Sequence, residues 1–516
     1  MSKGSDSADY AVANDVQKGD VVITQDYGLA AMCLARGAQV INQDGRIYQN
    51  ENIDGLLFSR YLSKKARMAG IRTKGPRKER RRRISPFRGF LYNYWRRLYM
   101  EKSNTDRIIL HCDCNNFFAS VECFFRPELK QVPMAVGGSE DNRHGIILAK
   151  NEKAKKFGVK TAETIWQAKK KCPQLVIVPP HHGEYLRFSE KINQIYRDYT
   201  DYVEPCSIDE SWLDVTGSTK LFGSGQEIAD QLRKRVREEI GVTISVGVSF
   251  NKIFAKMGSD YKKPDATTVI DRENYRSILF GLNVSELISV GESSQKTLSK
   301  LGIKTIGDLA KASEEMLVAY LGKQGKTLHA YANGNDDRPV AHVDEEREVK
   351  SIGNSMTFRR DLCKAEEIRA GVIALSDSVA ARLRRHALKA GTVQVTIRDP
   401  NFKTITRQKT LSAPTFLAKE ISTVALQIIR ASWPANKPIR LLGVTCSGLM
   451  AENVPIQLSL FEKEASVDTE KQEKVEKAMD EVRKRFGMDS VSYGTVVGND
   501  LGIRLSKDPT ITDKDE

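Results

Sequence analysis

The sequence predicts a multidomain α+β fold, and three observations support that prediction. The chain has 516 residues, which is too long for a single hydrophobic core, so three or four domains are expected. Strand-like and helix-like segments alternate between residues 105 and 270 and again between 347 and 450. Residues 271–340 between them have a helical pattern throughout. In the first region, two βαβ-like units with acidic residues at strand ends are typical of a ferredoxin-like sheet.

The composition indicates a polyanionic partner. Lys and Arg number 81 against 66 Asp and Glu, and this net charge of +15 favours nucleic acid over a membrane surface, although general solubility would also account for it. No apolar run approaches the ~20 residues of a membrane helix, and MSKGSDSADYAVAND does not have the pattern of a secretory signal. Eight cysteines are scattered without a CxxC pair, which suits a reduced compartment. We therefore expect a cytoplasmic protein.

Residues 1–75 form a small unit of their own, since GDVVITQDYGLAAMCLARGAQVI has the pattern of strand, turn, helix and strand. A basic linker, 76–104, follows it, and the arginine-rich run at 72–97 is a linker or a nucleic-acid-contacting segment. The unit resembles the C-terminal part of a small PIN-like family of bacterial proteins of uncertain function. Because it lacks that family's opening acidic strand, Asp20 and Asp26 have no metal-binding partners. We expect an inactive remnant, with Met100 as an alternative start of a complete protein.

Two adjacent carboxylates, Asp209 and Glu210, lie in CSIDESWLDV between two strand-like runs. Adjacent like charges repel, so such a pair is most often a solvated hairpin tip. A third carboxylate, Asp113, ends the apolar strand in RIILHCDCNNFFASVE. If these strands are neighbours, the three carboxylates converge and need cations to neutralise them. Hard oxygen ligands favour Mg²⁺, and two ions about 4 Å apart would serve an in-line phosphoryl displacement.

The segment from His111 to Cys114 has the composition of a metal-binding box. Because side chains alternate along a strand, Cys112 and Cys114 share one face with Ile108 and Leu110. We predict that both thiols are small core residues and not zinc ligands.

Four motifs, in order and spacing, carry a resemblance to Y-family DNA polymerases, most closely to the bacterial DNA polymerase IV group. They are DCNNFFASVE, KAKKFGVKT, CSIDESWLDV and SVGVSFNKIFAKMGSDYKKPD, and the resemblance covers residues 105–465. It implies a ferredoxin-like palm (105–116 and 172–270), small fingers (117–171), a helical thumb with a helix-hairpin-helix (271–340), an α+β little finger (347–450) and a tail (451–516), with the partial α/β unit in front. It also implies error-prone, template-directed translesion synthesis from dNTPs on a primer 3′-hydroxyl. No second acidic cluster in the sequence suggests an exonuclease, so we expect no proofreading.

The resemblance assigns the catalytic and metal-binding roles. Asp113 and Asp209 would bridge two Mg²⁺ ions, and Glu210 would lie nearest the primer 3′-hydroxyl. The main-chain carbonyl of Cys114 would complete one coordination shell, so its side chain needs only to be small.

The same resemblance assigns nucleotide-binding residues in the fingers and palm. Of the adjacent rings Phe117 and Phe118, Phe118 takes the position of the steric gate, which leaves no room for a ribose 2′-hydroxyl, and Phe117 should also serve the core. Lys155 and Lys256 would contact the triphosphate; a solvated helix lysine is the alternative for Lys256, and the intact motif around it favours the functional role. The fingers depart from the family pattern at Glu152, where a tyrosine is usual and where a carboxylate would repel phosphate if ionised.

Candidate DNA contacts come from the thumb and the little finger. In the thumb, the turn at Gly302 is either a helix C-cap or a phosphate-gripping hairpin, because both need a glycine there. In the little finger, a set of arginines is a candidate for backbone phosphates, which would make binding salt-dependent and independent of sequence. These are Arg359, Arg360, Arg382, Arg384 and Arg385.

The tail contains QLSLF, which resembles the bacterial sliding-clamp-binding pentapeptide. Gln457, Leu458, Leu460 and Phe461 would fill an apolar groove on the clamp, and tethering would raise the local concentration of the polymerase on DNA. A short buried strand is the alternative. An amphipathic helix is predicted after it, with an apolar face formed by Val475, Met479, Val482 and Phe486.

Two other function classes remain open from the sequence. A nucleotidyl cyclase also uses paired aspartates on a ferredoxin-like core, but it has no use for basic fingers or a clamp-binding tail. A catalytically inactive DNA-binding protein that occupies clamps would fit Glu152, but it has no use for three carboxylates. We expect a monomeric polymerase whose partners are primer-template DNA, dNTPs, two Mg²⁺ ions and the sliding clamp.

Overall fold

The structure, a computed structural model, describes residues 7–18, 20–42, 47–49, 53, 106–138, 145–345, 348–454, 467–498 and 500–503. The chain divides into two compact units, one of residues 1–108 with 339–345 and one of residues 109–338 with 346–516. Within the described ranges, no helix is both long enough and apolar enough to cross a membrane.

The first unit has the predicted strand–helix–strand order. Helix α1 (Ser7–Asp15) precedes strand β1 (Val21–Ile23), helix α2 (Tyr27–Ala35), strand β2 (Gln39–Ile41) and strand β3 (Ile47–Tyr48). Strands β1 and β2 pair in parallel, as a βαβ connection requires, and β3 pairs antiparallel with β2. Leu29, Ala30 and Cys33 of α2 pack with Val40 in its core.

The two aspartates of this unit have structural contacts of their own. The Asp26 carboxylate accepts hydrogen bonds from the amides of Gly28 and Leu29, at 2.7 and 3.2 Å, and so caps the start of α2. The Asp20 carboxylate accepts from the Gln17 amide at 2.8 Å. A helix cap and a turn therefore account for both side chains without a metal.

The second unit begins with a palm strand and then forms the fingers. After strand β4 (Ile109–Cys114) come helix α3 (Phe117–Phe125), strands β5 (Met134–Gly137) and β6 (Ile147–Lys150), helices α4 (Glu152–Lys156) and α5 (Ile165–Lys171), and strand β7 (Val176–Val178). The fingers sheet has the order β6-β5-β7. Because β7 pairs in parallel with β5, the fingers extend past the predicted boundary at residue 171.

The palm is a five-stranded sheet with the order β11-β10-β4-β9-β8. Its remaining elements are helix α6 (His182–Arg197), strands β8 (Val203–Pro205) and β9 (Glu210–Asp214), helices α7 (Thr219–Phe222) and α8 (Gly225–Arg235), strand β10 (Ile244–Ser249), helix α9 (Lys252–Tyr261) and strand β11 (Thr267–Ile270). Helix α9 crosses the sheet at Gly247, where a Cβ would lie 1.9 Å from the Ala255 carbonyl oxygen. Lys256 of this helix lies next to Glu210, at the start of β9.

The thumb is helical, as predicted. It contains helices α10 (Tyr275–Leu279), α11 (Glu292–Lys300), α12 (Ile306–Lys311), α13 (Glu314–Leu321) and α14 (Lys323–Ala332). Leu298, Ile306, Leu309 and Leu317 are fully buried in its core.

The little finger is a four-stranded antiparallel sheet covered by two helices. Its elements are strand β12 (Ser351–Leu362), helix α15 (Ala365–Arg385), strands β13 (Leu388–Arg398) and β14 (Thr404–Thr415), helix α16 (Ala418–Ser432) and strand β15 (Ile439–Ala451), in the sheet order β12-β15-β13-β14. Val393, Val395 and Ile397 alternate along β13 toward the helices, so one face of the sheet holds the core.

The predicted tail is docked onto the little finger by helix α17 (Val467–Phe486) and the residues after it. The predicted apolar face is only partly covered, since Met479 and Val482 are partly buried while Val475 is 52% exposed and Phe486 is 74% exposed. A buried ion pair also holds the helix, because Arg483 pairs with Asp377 of α15 at 2.8 and 3.0 Å. Leu501 then joins the little-finger core. The clamp motif, residues 457–461, lies outside the described residues.

Candidate active site

The register of the palm sheet places two of the three predicted catalytic carboxylates, Asp113 and Glu210, side by side, and Asp209 directly precedes Glu210 in the chain. Asp113 on β4 lies directly opposite Glu210 on β9, and the Cys114 amide donates to the Asp209 main-chain carbonyl at 3.0 Å. The expectation that the two strands are neighbours is therefore confirmed. Asp113 is 6% exposed, so its carboxyl group is held at the end of a fully buried strand. The Asp209 carboxylate accepts from the Ser207 hydroxyl at 2.6 Å.

Two lysines neutralise this corner of the sheet. The Lys263 ammonium lies 2.7 Å from one carboxylate oxygen of Asp113 and 2.7 Å from Asp260. The Lys256 ammonium lies 2.5 Å from Oε1 of Glu210. Lys256 was predicted to lie at this site. Lys263 was missed, although it lies in the quoted motif SDYKKPD, because the sequence does not reveal that the turn after α9 returns to the end of β4.

The hydrogen bond between the Asp113 and Glu210 carboxyl groups shifts their pKa values in opposite directions. Burial, and then the bond to Glu210, raise the pKa of Asp113 to about 7, against the opposing charge of Lys263. Burial also acts to raise the pKa of Glu210, but hydrogen bonds from Asp113 and Lys256 outweigh it and lower that pKa. Added positive charge at this corner would thus be favourable, because it would let both groups ionise.

The thiols of Cys112 and Cys114 are core residues, as predicted. Their side chains are 0% and 4% exposed, respectively, and burial raises the pKa of each thiol far above its usual range. Neighbouring His111 is fully buried, and burial lowers its pKa to about 3. The segment His111 to Cys114 does not act as one metal-binding box.

The rings at the fingers–palm junction have different environments. Phe117 is 3% exposed and belongs to the interior, whereas Phe118 is partly buried. The Phe118 ring stacks on Tyr185, with centroids 4.2 Å apart and planes 11° apart. The Tyr185 hydroxyl donates to buried Glu122 at 2.5 Å, which fixes the tyrosine ring. A hydrogen-bonded support therefore stands behind the predicted steric gate, and the sequence motif alone did not reveal it.

The unusual Glu152 of the fingers is engaged in local contacts. Its Oε1 accepts from the Asn116 side-chain amide at 2.8 Å and lies 3.7 Å from the Lys155 ammonium. Asn116 directly precedes α3, so these contacts link the fingers helix α4 to the end of β4. Lys155 is half exposed. The Glu152 carboxylate therefore has a cationic neighbour in Lys155 and connects α4 to the segment that precedes α3.

The thumb turn at Gly302 is a helix C-cap in the structure. Gly302 has a φ of +78°, a left-handed conformation that favours glycine, and its amide donates to the Ser299 carbonyl at 3.1 Å. Because this amide already has an acceptor, the predicted phosphate grip through Gly302 gains no support from the geometry.

Among the predicted DNA-binding arginines, Arg384 requires a correction. Its side chain is 5% exposed and pairs with Glu476 and with Asp480 of helix α17, the latter at 2.6 and 3.0 Å. It also donates to the Phe416 carbonyl. Arg384 therefore holds α17 on the little finger and cannot face a DNA phosphate in this arrangement. Arg360 is also engaged, at 2.8 Å from Asp500 and 2.9 Å from Glu367.

A polar sheet face offers a better candidate DNA surface. Along β13, the residues that alternate with the buried valines point away from the helices, and their register neighbours on β12, β14 and β15 do the same. Arg359 and Arg398 lie on this face, and Arg398 was not predicted. The other polar residues and glycines of this face complete the set that we call the open face: Gly353, Ser355, Thr357, Thr392, Gln394, Thr396, Thr406, Gln408, Gly443 and Thr445.

Comparison with known proteins gives the family. Residues 112–260 match the impB/mucB/samB family, residues 349–460 match the C-terminal domain of that family, and residues 285–336 match a DNA polymerase-iota thumb domain. DNA polymerase IV of Acetivibrio thermocellus is 49% identical over 397 residues, which cover 77% of this chain and 99% of the relative. The chain belongs to the Y-family of DNA polymerases, in the DNA polymerase IV group. It is thus a DNA-directed DNA polymerase.

Further comparisons agree with this membership. DNA polymerase IV of Pelotomaculum thermopropionicum is 40% identical to this polymerase over 383 residues, 74% of the chain and 94% of the relative. A solved Y-family DNA polymerase chimera, Dbh-Dpo4(243-245)-Dbh, has the same fold, with a TM-score of 0.60 and 24% identity over 67% of this chain and 99% of that one. Residues 1–97 match the uncharacterised YaiI/YqxD family, in line with the predicted kinship of the first unit to bacterial proteins of uncertain function.

Proposed function

We propose that this polymerase performs error-prone, template-directed translesion synthesis by two-metal nucleotidyl transfer, acts as a cytoplasmic monomer and has no proofreading activity. The observation that carries the proposal is the register that sets Asp113 opposite Glu210, with Asp209 one residue before it. Carboxylate oxygens on neighbouring strands suit Mg²⁺, which prefers hard oxygen ligands and shares them with substrate phosphates.

The residues that would hold the ions are Asp113, Asp209, Glu210 and the main-chain carbonyl of Cys114. Two Mg²⁺ ions, when bound, would supply Lewis-acid stabilisation of the attacking and leaving oxygens of the displacement. The pKa of Asp113, raised by burial, fits this assignment, because a buried acid beside a second acid ionises fully only next to added positive charge. Lys256 and Lys263, which pair with these carboxylates, would be free to contact the dNTP triphosphate once the ions replace them.

One assay separates this function from the two other classes. Primer extension is measured with template, without template, and with a single nucleoside triphosphate in the absence of DNA. Elongation that needs template and copies its sequence supports the proposal. A cyclic nucleotide formed without DNA would indicate a cyclase, and DNA binding without any elongation would indicate an inactive accessory protein.

We expect Phe118→Ala to admit ribonucleotides, raising the efficiency of rNTP incorporation relative to dNTP by about 10- to 100-fold. Removing the ring opens the space that a 2′-hydroxyl would need. Tyr185→Phe should give a smaller change in the same direction, because it keeps the stacked ring and loses only the bond to Glu122. Single-nucleotide incorporation kinetics measure the ratio, and unchanged sugar discrimination in Phe118→Ala would refute the assignment.

The open face of the little finger is proposed to contact the duplex backbone. Small hydroxyl-bearing and glycine residues allow close approach of phosphates, and Arg359 and Arg398 supply the charge. Replacing both arginines with alanine should weaken DNA binding at every sequence and reduce the slope of log affinity against log salt by about 1.4 to 1.8. Fluorescence anisotropy across a salt series measures this slope. The control is Arg430→Ala, because Arg430 lies on helix α16, which covers the opposite face of the sheet. An equal loss of DNA affinity in this control would contradict the proposal.

The clamp interaction is proposed from sequence, since residues 457–461 lie outside the described residues. Both chain segments that flank the motif are anchored, by β15 on one side and by α17 on the other. Deleting Gln457 to Phe461 should leave basal synthesis intact and remove stimulation by the clamp. Full stimulation in the deletion variant would exclude this role.

A further inference from the structure

A second group of metal-ligating side chains lies beside the carboxylate corner of the palm. It consists of His111 on β4, Cys206 in the turn before β9, and Glu210. The Cys206 Sγ lies 3.9 Å from His111 Nε2 and 4.0 Å from Glu210 Oε2, and all three ligand atoms lie within 4.8 Å of one another. Among the residues that the structure describes, no other three His, Cys, Asp or Glu side chains meet this condition.

Hydrogen bonding fixes which nitrogen of His111 carries the lone pair. The Ser259 hydroxyl has one proton and donates it to the Lys256 carbonyl at 2.8 Å. The same oxygen lies 2.8 Å from His111 Nδ1, so it can only accept from that nitrogen. In the neutral ring, Nε2 is therefore unprotonated and directed toward Cys206. An outer hydrogen bond of this kind orients histidine ligands in metal sites, and the edge contact with Trp212 at 5.3 Å holds the ring plane.

The other two ligands are also in place. Cys206 is the partly exposed thiol of the palm, while Cys112 and Cys114 are buried in its core. The thiol donates to the Glu210 main-chain carbonyl at 3.3 Å, which keeps it on this side of the turn. Lys256 pairs with Oε1 of Glu210, so Oε2 is the oxygen that faces the thiol.

We propose that His111, Cys206 and Glu210 form a site for a thiophilic divalent cation of the Zn²⁺ class. Imidazole nitrogen, thiolate and carboxylate are Zn²⁺ ligands at bond lengths of about 2.0–2.3 Å, and a tetrahedral site holds such atoms about 3.5 Å apart. The two spacings from Cys206 Sγ need to close by about 0.5 Å, and the third, which is within 4.8 Å, by no more than about 1.3 Å. The Cys206 thiol releases its proton to solvent on binding, and water fills the fourth position. Mg²⁺ does not compete for the imidazole and thiolate ligands, so Glu210 is the one ligand that the two ions share.

The site has a consequence for synthesis that rests on the proposed function of Glu210. Coordination through Oε2 draws this carboxylate away from the primer 3′-hydroxyl and from the Mg²⁺ ligand set. The polymerase is therefore inhibited by a thiophilic cation that binds next to its catalytic ions. Binding itself does not depend on Glu210 being catalytic.

Cobalt absorbance tests the binding directly. The full-length protein is titrated with Co²⁺ without DNA or dNTP, and the thiolate-to-cobalt charge-transfer band is recorded. The proposal predicts this band in the wild type, its loss in Cys206→Ser, its retention in Cys363→Ser, which removes an exposed thiol of the little finger, and its displacement by Zn²⁺. No band in the wild type, or an equal band in Cys206→Ser, overturns the site.

Primer extension in Mg²⁺ with added Zn²⁺ tests the inhibition separately. Half-inhibition of Cys206→Ser should need at least about 10-fold more Zn²⁺ than half-inhibition of the wild type or of Cys363→Ser. If the three proteins are equally sensitive to Zn²⁺ while the cobalt band depends on Cys206, the inhibitory role is overturned and the metal site is still supported. If the wild type does not extend primers in Mg²⁺ alone, the proposed function fails. The cobalt titration still shows whether the metal site exists.

Discussion

Asp113→Asn is expected to lower kcat/KM for dNTP incorporation by on the order of 10³-fold, because it removes an anionic ligand from the place where charge develops in the transition state. The fold should survive this change. Asparagine is nearly isosteric, Asp113 is costly to ionise in its buried position, and Lys263 keeps its partner Asp260. Steady-state kinetics with Mg²⁺ measure the loss, and circular dichroism checks the fold.

Two further measurements make this result specific. DNA affinity of Asp113→Asn, from fluorescence anisotropy, should stay within a few-fold of wild type, because the substitution touches no DNA-binding surface. Asp201→Asn, an exposed carboxylate in the loop before β8, should retain wild-type activity. Activity of Asp113→Asn within tenfold of wild type would show that this carboxylate does not hold a catalytic ion.

Arg483→Met is expected to destabilise the little finger by about 3–5 kcal/mol. The guanidinium of Arg483 and the carboxylate of Asp377 are 2% and 3% exposed, so removing one partner leaves the other charge buried and unpaired. The same arginine also donates to the Val491 carbonyl at 2.9 and 3.0 Å, which ties the segment after α17 to the helix. Urea denaturation of the full chain, followed by tryptophan fluorescence, measures the loss.

A double variant separates the charge from the packing. Asp377→Leu combined with Arg483→Met should recover most of the lost stability, because neither buried charge remains. Arg485→Met, an exposed arginine two residues further along the same helix, should be nearly neutral. A loss below about 1 kcal/mol for Arg483→Met would mean that α17 does not depend on this pair.

The carboxylate corner could be predicted from sequence because its residues are local to recognisable strands. Asp113 ends an apolar run and Asp209 and Glu210 begin another, and pairing of the two runs suffices to set Asp113 opposite Glu210. Burial of Cys112 and Cys114 followed from strand alternation for the same reason. The helical thumb and the strand–helix–strand unit at the N-terminus likewise reflect short-range periodicity.

Contacts between residues far apart in the chain could not be predicted in this way. Arg384 looked like a DNA-binding residue because a basic helix end is usually solvated, and its acidic partners Glu476 and Asp480 lie more than 90 residues later. The ion pairs of α17 were missed for a related reason, since Glu476 and Arg483 are buried against partners about 90 or more residues earlier in the chain. Lys263 and the Cys206–His111 contact similarly require knowledge of which turn meets which strand.

Anomalous diffraction from Mn²⁺ in a ternary complex with primer-template DNA and a non-hydrolysable dNTP tests the central assignment most directly. Two anomalous peaks about 4 Å apart are expected. Oxygen atoms of Asp113 and Asp209 should ligate both ions, and Glu210 should ligate the ion nearer the primer terminus. A complex with the nucleotide bound in the palm, but with no anomalous peak within coordination distance of Asp113, would contradict the account.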